Sequence, residues 1–291
     1  MYLSRAQANS KYSTLFAASK RLFWDPADVD LSNDRDGWAA IRRDHLEDRY
    51  DEQIYRLLSL FYQGEASVTR TLAPYLVAMS RLGLGADKEM FLASQLYEEA
   101  KHFDFFSRYF REVLDEDGAA TVAQLGSVPQ QLLVTGLDGL ADRLTAAVAG
   151  PSLEVTLVEA VAYYMGVVEA MVARTGYRGV TEALAARGWL PGLLEGFRLI
   201  RRDEGRHVGF GVEFLREAIA ARPSHRDTVH RVFEDAAPLV IGVVQSFDYP
   251  RPIVNVERLT RYALDASAQF LRAIESTTVD RETLVLQIEE S

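Results

Sequence analysis

The pattern Glu-x-x-His occurs twice in this chain, as Glu99-Ala100-Lys101-His102 and Glu204-Gly205-Arg206-His207. Each copy follows a lone glutamate at nearly the same distance, Glu65 before Glu99 and Glu169 before Glu204. A helical bundle that holds two metal ions needs one Glu from each of two helices and a Glu-x-x-His from each of two others. Residues i and i+3 share a helix face, so each pair can point at one ion. The repeat therefore predicts an all-α chain whose four-helix core holds two ions, with further helices around it. Glu65, Glu99, His102, Glu169, Glu204 and His207 are the expected ligands, and Glu99 is the expected bridge.

The 291 residues leave the domain count open by length alone. The repeat favours one domain, residues 1–291, because its halves must meet to build a site. Within it, residues 1–35 are expected to pack on the bundle as an N-terminal segment, and 276–291 to form a flexible C-terminus. A net charge of −10 argues against a nucleic-acid partner, since such proteins concentrate basic charge on one face. No run of 18 apolar residues appears, so no transmembrane segment is expected. The start, Met1-Tyr2-Leu3-Ser4-Arg5, lacks the apolar core of a signal peptide. With no cysteine there is neither disulfide nor thiolate ligand, which fits a cytoplasmic location.

Helical periodicity is nearly continuous. From Asp36 to Ser80 apolar residues recur in threes and fours (Leu57, Leu58, Phe61, Val68, Leu72, Leu76), and Pro74 is expected to kink that helix rather than end it. Further helices are expected from Ala86 to about Leu114, from Pro129 to Ala149 and from Leu153 to about Thr175. Gly188-Trp189-Leu190-Pro191 opens the helix carrying Glu204 and His207; Pro223-Ser224 and the turn at Tyr249-Pro250-Arg251-Pro252 delimit two more.

A single helical glutamate is most often a solvated surface residue. Glu65 and Glu169 differ, since both sit in apolar surroundings. A buried carboxylate must be paired, bind metal or take up a proton. His45, His225 and His230 lack an i−3 glutamate and read as surface or packing residues. A metal-bound imidazole needs a partner for its other ring nitrogen, and Asp203, next to Glu204, is placed to reach His102.

These ordered glutamates and histidines resemble the small subunit of class I ribonucleotide reductase, within the ferritin-like superfamily. Independently, Phe23-Trp24-Asp25-Pro26-Ala27-Asp28-Val29-Asp30-Leu31-Ser32 is similar to that family's N-terminal Trp-containing segment. The resemblance runs from about residue 20 to 250. It implies a ferritin-like helical bundle in which Trp24 and Asp203 connect the metal site to the surface.

The chain departs from the radical-storing members. The position four residues after His102 holds Phe106, which has no O–H to oxidise, and Glu65 stands where tyrosyl-radical subunits have Asp. No tyrosine-bearing tail is evident after Tyr262. In these respects the chain resembles the ribonucleotide reductase small-subunit-like ligand-binding oxidases. That resemblance implies one manganese and one iron ion, with di-iron as the other option, and activation of O2. It further implies a long-chain fatty acid or similar amphiphile near the metals, a homodimer, and an ether cross-link between Val68 and Tyr164. Val68 follows Glu65 by three and shares its face. Tyr164 precedes Glu169 by five, off the ligand face of an ideal helix, and Gly166 between them offers a place for a π-bulge. The apolar residues Val161, Met165, Val167, Val168, Met171 and Val172 are candidates to line a tunnel. Two other readings stay open: a reductase small subunit that keeps its oxidising equivalent on the metals, and a ferritin-like iron-storage protein.

Overall fold

Helices begin where the chain supplies caps and stop where it supplies breakers, and they build the whole described structure. The computed structural model describes residues 3–116, 126–147 and 150–276. Two N-terminal helices, α1 (Arg5–Ala8) and α2 (Lys11–Arg21), are capped by Ser4 and Ser10. A 3-10 turn at Pro26–Asp28 leads to α3 (Ser32–Asp44). Next come α4 (Tyr50–Thr71), α5 (Ala73–Arg81) and α6 (Ala86–Tyr109), which runs into a π turn at Phe110–Leu114. Asp115, with φ of 57°, ends that run. Helix α7 spans Val128–Ala146. A continuous helix then covers α8 (Pro151–Val161), a π segment (Ala162–Ala173) and α9 (Arg174–Ala185). The chain closes with α10 (Pro191–Ala221), α11 (His225–Gln245) and α12 (Val256–Glu275). No strand occurs among the described residues.

The core is a four-helix arrangement: α4 lies along α6, and the π segment lies along α10. Helix α2 packs across α6 and α10, while α11 and α12 cover the π segment. Close approach at one crossing depends on Gly196 in α10. A Cβ there would sit 2.0 Å from Cζ of Phe105 on α6, so any side chain would push the two ligand-bearing helices apart. The start of α10 is fixed from a distance. The buried Asp34 carboxylate accepts from the backbone N–H of Gly192 (2.9 Å) and Leu193 (2.8 Å), donors left unpaired by any helix start.

The expected helix from Asp36 to Ser80 is three helices. The chain turns between α3 and α4, with Arg49 left-handed at φ of 54°. Pro74 sits in the first turn of a new helix, where a missing N–H is harmless, and Leu72 alone separates α4 from α5. The helix expected to stop near Thr175 continues to Ala185. The expected end at Ala149 and the C-terminal segment beyond Ser276 lie outside the described residues. By length and composition, Pro151–Ala185 is apolar enough to cross a membrane; 67% of its most apolar window is buried within the fold, as suits a core helix.

Candidate metal centre

Four helices each deliver carboxylates to one buried point. Glu65 comes from α4, Glu99 and His102 from α6, Glu169 from the π segment, and Glu204 and His207 from α10. The structure brings all six together as two overlapping groups, Glu65/Glu99/His102/Glu204 and Glu99/Glu169/Glu204/His207, with ligand atoms within 4.8 Å of one another in each. Nδ1 of His102 faces Glu65 Oε2 (3.6 Å), Glu99 Oε2 (3.6 Å) and Glu204 Oε1 (3.5 Å). Nδ1 of His207 faces Glu99 Oε1 (3.0 Å), Glu169 Oε1 (3.4 Å) and Glu204 Oε2 (3.6 Å). Glu99 and Glu204 thus each turn one oxygen to either histidine. Sequence reasoning singled out Glu99 as the bridge; the geometry gives Glu204 the same position.

The donor set fits two divalent cations. Glu65 Oε2, His102 Nδ1, Glu169 Oε2, Glu204 Oε2 and His207 Nδ1 are buried with no hydrogen-bond partner among the described residues. Buried polar atoms are ordinarily paired, so five such atoms converging on one point mark a place for ions. Four carboxylates also match the charge of two divalent ions. Without cations the group would have to take up protons. Burial pushes Glu65 up to about 8, and burial with the charge of Glu204 holds Glu169 well above the usual carboxylate range. Burial disfavours imidazolium at both histidines, but the surrounding carboxylates outweigh it and raise both. Oxygen-rich sites with one imidazole per ion suit manganese or iron.

The outer ring nitrogens are held crosswise. Nε2 of His102 lies 3.2 Å from Asp203 Oδ2, and Nε2 of His207 lies 2.8 Å from Glu98 Oε2. Each carboxylate precedes the glutamate of one copy and orients the histidine of the other, leaving Nδ1 toward the cluster. Lys101 donates to Asp203 at 2.6 Å, and Arg206 donates to both Asp203 (2.6 Å) and Glu98 (2.5 Å). The repeat is therefore longer than Glu-x-x-His. It reads acid-Glu-x-base-His, Glu98 to His102 and Asp203 to His207. Glu98, Lys101 and Arg206 were not singled out from sequence, although this longer repeat carried their signal. The indole N–H of Trp24 donates to Asp203 Oδ2 at 2.7 Å, giving an unbroken path from Trp24 through Asp203 to His102.

Tyr164 lies at the cluster, its O–H donating to Glu99 Oε1 at 2.6 Å. The reason is the π segment: with i→i+5 bonding, Tyr164 and Glu169 stand one turn apart. Gly166 contributes differently from expectation. A Cβ there would meet the Phe233 ring at 2.6 Å, so it admits α11 rather than loosening the helix. The neighbouring Tyr163 points away and donates to the Leu133 carbonyl. Two further residues escaped sequence reasoning: Tyr177 donates to Glu65 Oε1 (2.8 Å), and Gln95 donates to Glu169 Oε1 (3.1 Å). Phe106 stacks on Phe61 with centroids 5.8 Å apart. His45, His225 and His230 face Asp48, Glu154 and Glu275, away from the cluster.

A narrow cavity with about 70 Å³ of water-accessible space ends at Glu65, Glu99, Glu169 and Glu204. Val68 and Tyr164 both line it, 4% and 2% exposed. Its remaining wall is mostly apolar, from Leu60 and Phe61 of α4, Leu133, Val134 and Leu137 of α7, and Val168 and Val172. Of the six residues expected to line a tunnel, Val161, Met165, Val167 and Met171 do not. Those four are fully buried in the core, whereas Val168 and Val172 are half-buried on the cavity side.

The family model described as ribonucleotide reductase, small chain, matches residues 8–264. Similar solved structures include R2-like ligand-binding oxidase mutants. One with an anaerobically reconstituted Mn/Fe cofactor is 24% identical, with a TM-score of 0.84 over 94% of this chain and 96% of that one. A tyrosine-to-phenylalanine mutant with an aerobically reconstituted Mn/Fe cofactor is 24% identical, with a TM-score of 0.83 over 93% and 95%. One with a non-activated Mn/Mn cofactor has the same identity and coverage and a TM-score of 0.84. The fold is accordingly the ferritin-like helical bundle expected from the sequence.

Proposed function

The chain belongs to the ribonucleotide reductase small-chain family, and we propose that within it the protein is a dioxygen-dependent oxidase holding one manganese and one iron ion. The observation carrying this reading is the pair of groups sharing Glu99 and Glu204 beneath a narrow apolar cavity. Glu65, Glu99, His102 and Glu204 would hold manganese, and Glu99, Glu169, Glu204 and His207 iron. The Mn/Fe cofactor in structures of similar fold supports the metal choice, which ligand chemistry alone leaves open. By the same resemblance the reading extends to a cytoplasmic homodimer.

When bound, the reduced ions supply two of the four electrons that take dioxygen to water. In the first turnover the other two come from the protein itself. The Cβ–H bond of Val68 and the O–H bond of Tyr164 break, an ether bond forms between that carbon and that oxygen, and two protons and two electrons leave. Tyr164 is held for this by its hydrogen bond to Glu99, and Val68 by sharing the face of Glu65. The mostly apolar cavity wall offers water few hydrogen-bond partners beside the reacting atoms. A long-chain fatty acid or similar amphiphile would lie between Leu60, Leu133, Leu137, Val168 and Val172 with its carboxylate toward the cluster.

Mass spectrometry of aerobically loaded protein tests this reading. It predicts a chain two hydrogens lighter and a fused peptide spanning Val68 and Tyr164 after digestion. Val68→Ala should lose the link and keep both ions. Separate, unmodified peptides from wild type would contradict the oxidase reading.

One observation favours a second reading, a reductase small subunit that keeps its oxidising equivalent on the metals. Trp24, Asp203 and His102 form an unbroken hydrogen-bonded path outward from the cluster. Tight binding to a reductase large subunit would support it.

A further inference from the structure

A second cleft, with about 550 Å³ of water-accessible space, lies among α9, α10 and α12 and shares no lining residue with the cavity at the metal centre. Three guanidiniums line it, Arg174 and Arg178 from α9 and Arg201 from α10. Burial, and then the charges of Arg201 and Arg178, lower the proton affinity of Arg174. Burial and Arg178 act the same way on Arg201, with Glu182 opposing. Glu182 is already engaged by Arg178 at 3.2 Å, Arg258 at 3.3 Å and the Tyr262 hydroxyl at 3.1 Å. Asp265 is the other carboxylate on the wall. Positive charges are therefore gathered here against their mutual repulsion.

Hydroxyl groups accompany them. The side-chain oxygens of Thr175 and Thr181 are buried, belong to residues lining the same cleft, and have no hydrogen-bond partner among the described residues. Thr175 is only 4% exposed. Burying a hydroxyl without a partner is costly, so two of them on one wall point to a ligand acceptor there. Thr175, Arg178 and Thr181 recur at spacing three and share one helix face, with Arg174 beside them. Two orphaned donors among three guanidiniums ask for an acceptor with several oxygens and more than one negative charge. Guanidinium forks match phosphate oxygens in geometry as well as charge.

We propose that this cleft binds a phosphate group, as the free ion or as the monoester of a small molecule, through Arg174, Arg178 and Arg201 and the hydroxyls of Thr175 and Thr181. The cleft is larger than a phosphate ion, and Tyr262 offers an aromatic wall for the rest of an ester. Arg178 already stacks on that ring, 3.8 Å from its centroid. The site does not depend on which metals the bundle holds.

Calorimetric titration of the full chain with inorganic phosphate, and separately with adenosine monophosphate, at constant ionic strength tests the proposal. Saturable binding is expected, weakened about tenfold or more in Arg201→Gln and in Thr175→Val, a change of about 1.4 kcal/mol. It should be unchanged in Arg143→Gln, a cation paired with Glu159 elsewhere. Tighter binding of the monophosphate identifies an ester as the ligand; equal or tighter binding of phosphate identifies the free ion. In chloride, Arg201→Gln should melt no lower than wild type, since it relieves repulsion, yet lose the rise in melting temperature that phosphate gives wild type. Affinity equal in wild type, Arg201→Gln and Thr175→Val would overturn the proposal, as would the absence of saturable binding of either probe at millimolar concentration.

Discussion

Asp203 orients the histidine of the other half of the repeat: its Oδ2 lies 3.2 Å from Nε2 of His102. Glu98 does the same for His207. Removing either charge leaves an imidazole freer to turn and less basic, at a typical cost of about 10–100-fold in metal affinity. Asp203→Asn and Glu98→Gln are each expected to weaken metal retention by that factor in competition with a chelator. Asp203→Asn should also lower the melting temperature, because Lys101 and Arg206 lose their shared carboxylate. Wild-type retention in both variants would show that the crosswise contacts do not position the ligands.

The close approach of α6 and α10 gives a stability prediction. Gly196→Ala would gain about 1 kcal/mol of helix propensity in an open site. Here the added carbon meets the Phe105 ring, and overpacking of this kind costs about 1–3 kcal/mol. A net fall in the melting temperature is expected, with partial recovery when Phe105→Leu is added. A Gly196→Ala variant as stable as wild type would show that the helices have room to spare.

The cavity above the cluster gives a third. Organic extraction of purified wild type should release a long-chain fatty acid or similar amphiphile. Val172→Phe places a ring in the cavity wall and should abolish that recovery while leaving both ions bound, since Val172 offers no ligand atom. Equal recovery from the variant would remove this cavity as the ligand's site.

Much of this architecture was legible because metal ligands repeat at fixed helical spacing. Glu65, Glu99, His102, Glu169, Glu204 and His207 had to share a point if the two halves met, and Asp203 stood beside one of them. Glu98 was hidden in a run of charges that reads as a solvated face, until the pentad it shares with Asp203 is compared. Tyr177 carried no such signal, because it stands eight residues beyond Glu169 across the change from π to α geometry. The tunnel was half misread for the opposite reason. A helix apolar on every side gives no clue to which stripe faces a cavity. The break between α3 and α4 was equally silent, since Arg49 adopts a left-handed conformation with no glycine beside it to announce the turn.

Anomalous diffraction at the manganese and iron absorption edges, on crystals of metal-free protein loaded aerobically with equal Mn(II) and Fe(II), decides which ions the bundle holds and where. Two ions are expected, manganese within Glu65, Glu99, His102 and Glu204 and iron within Glu99, Glu169, Glu204 and His207. Iron at both positions would contradict the mixed-metal oxidase, and no ion at either would contradict the metal centre itself.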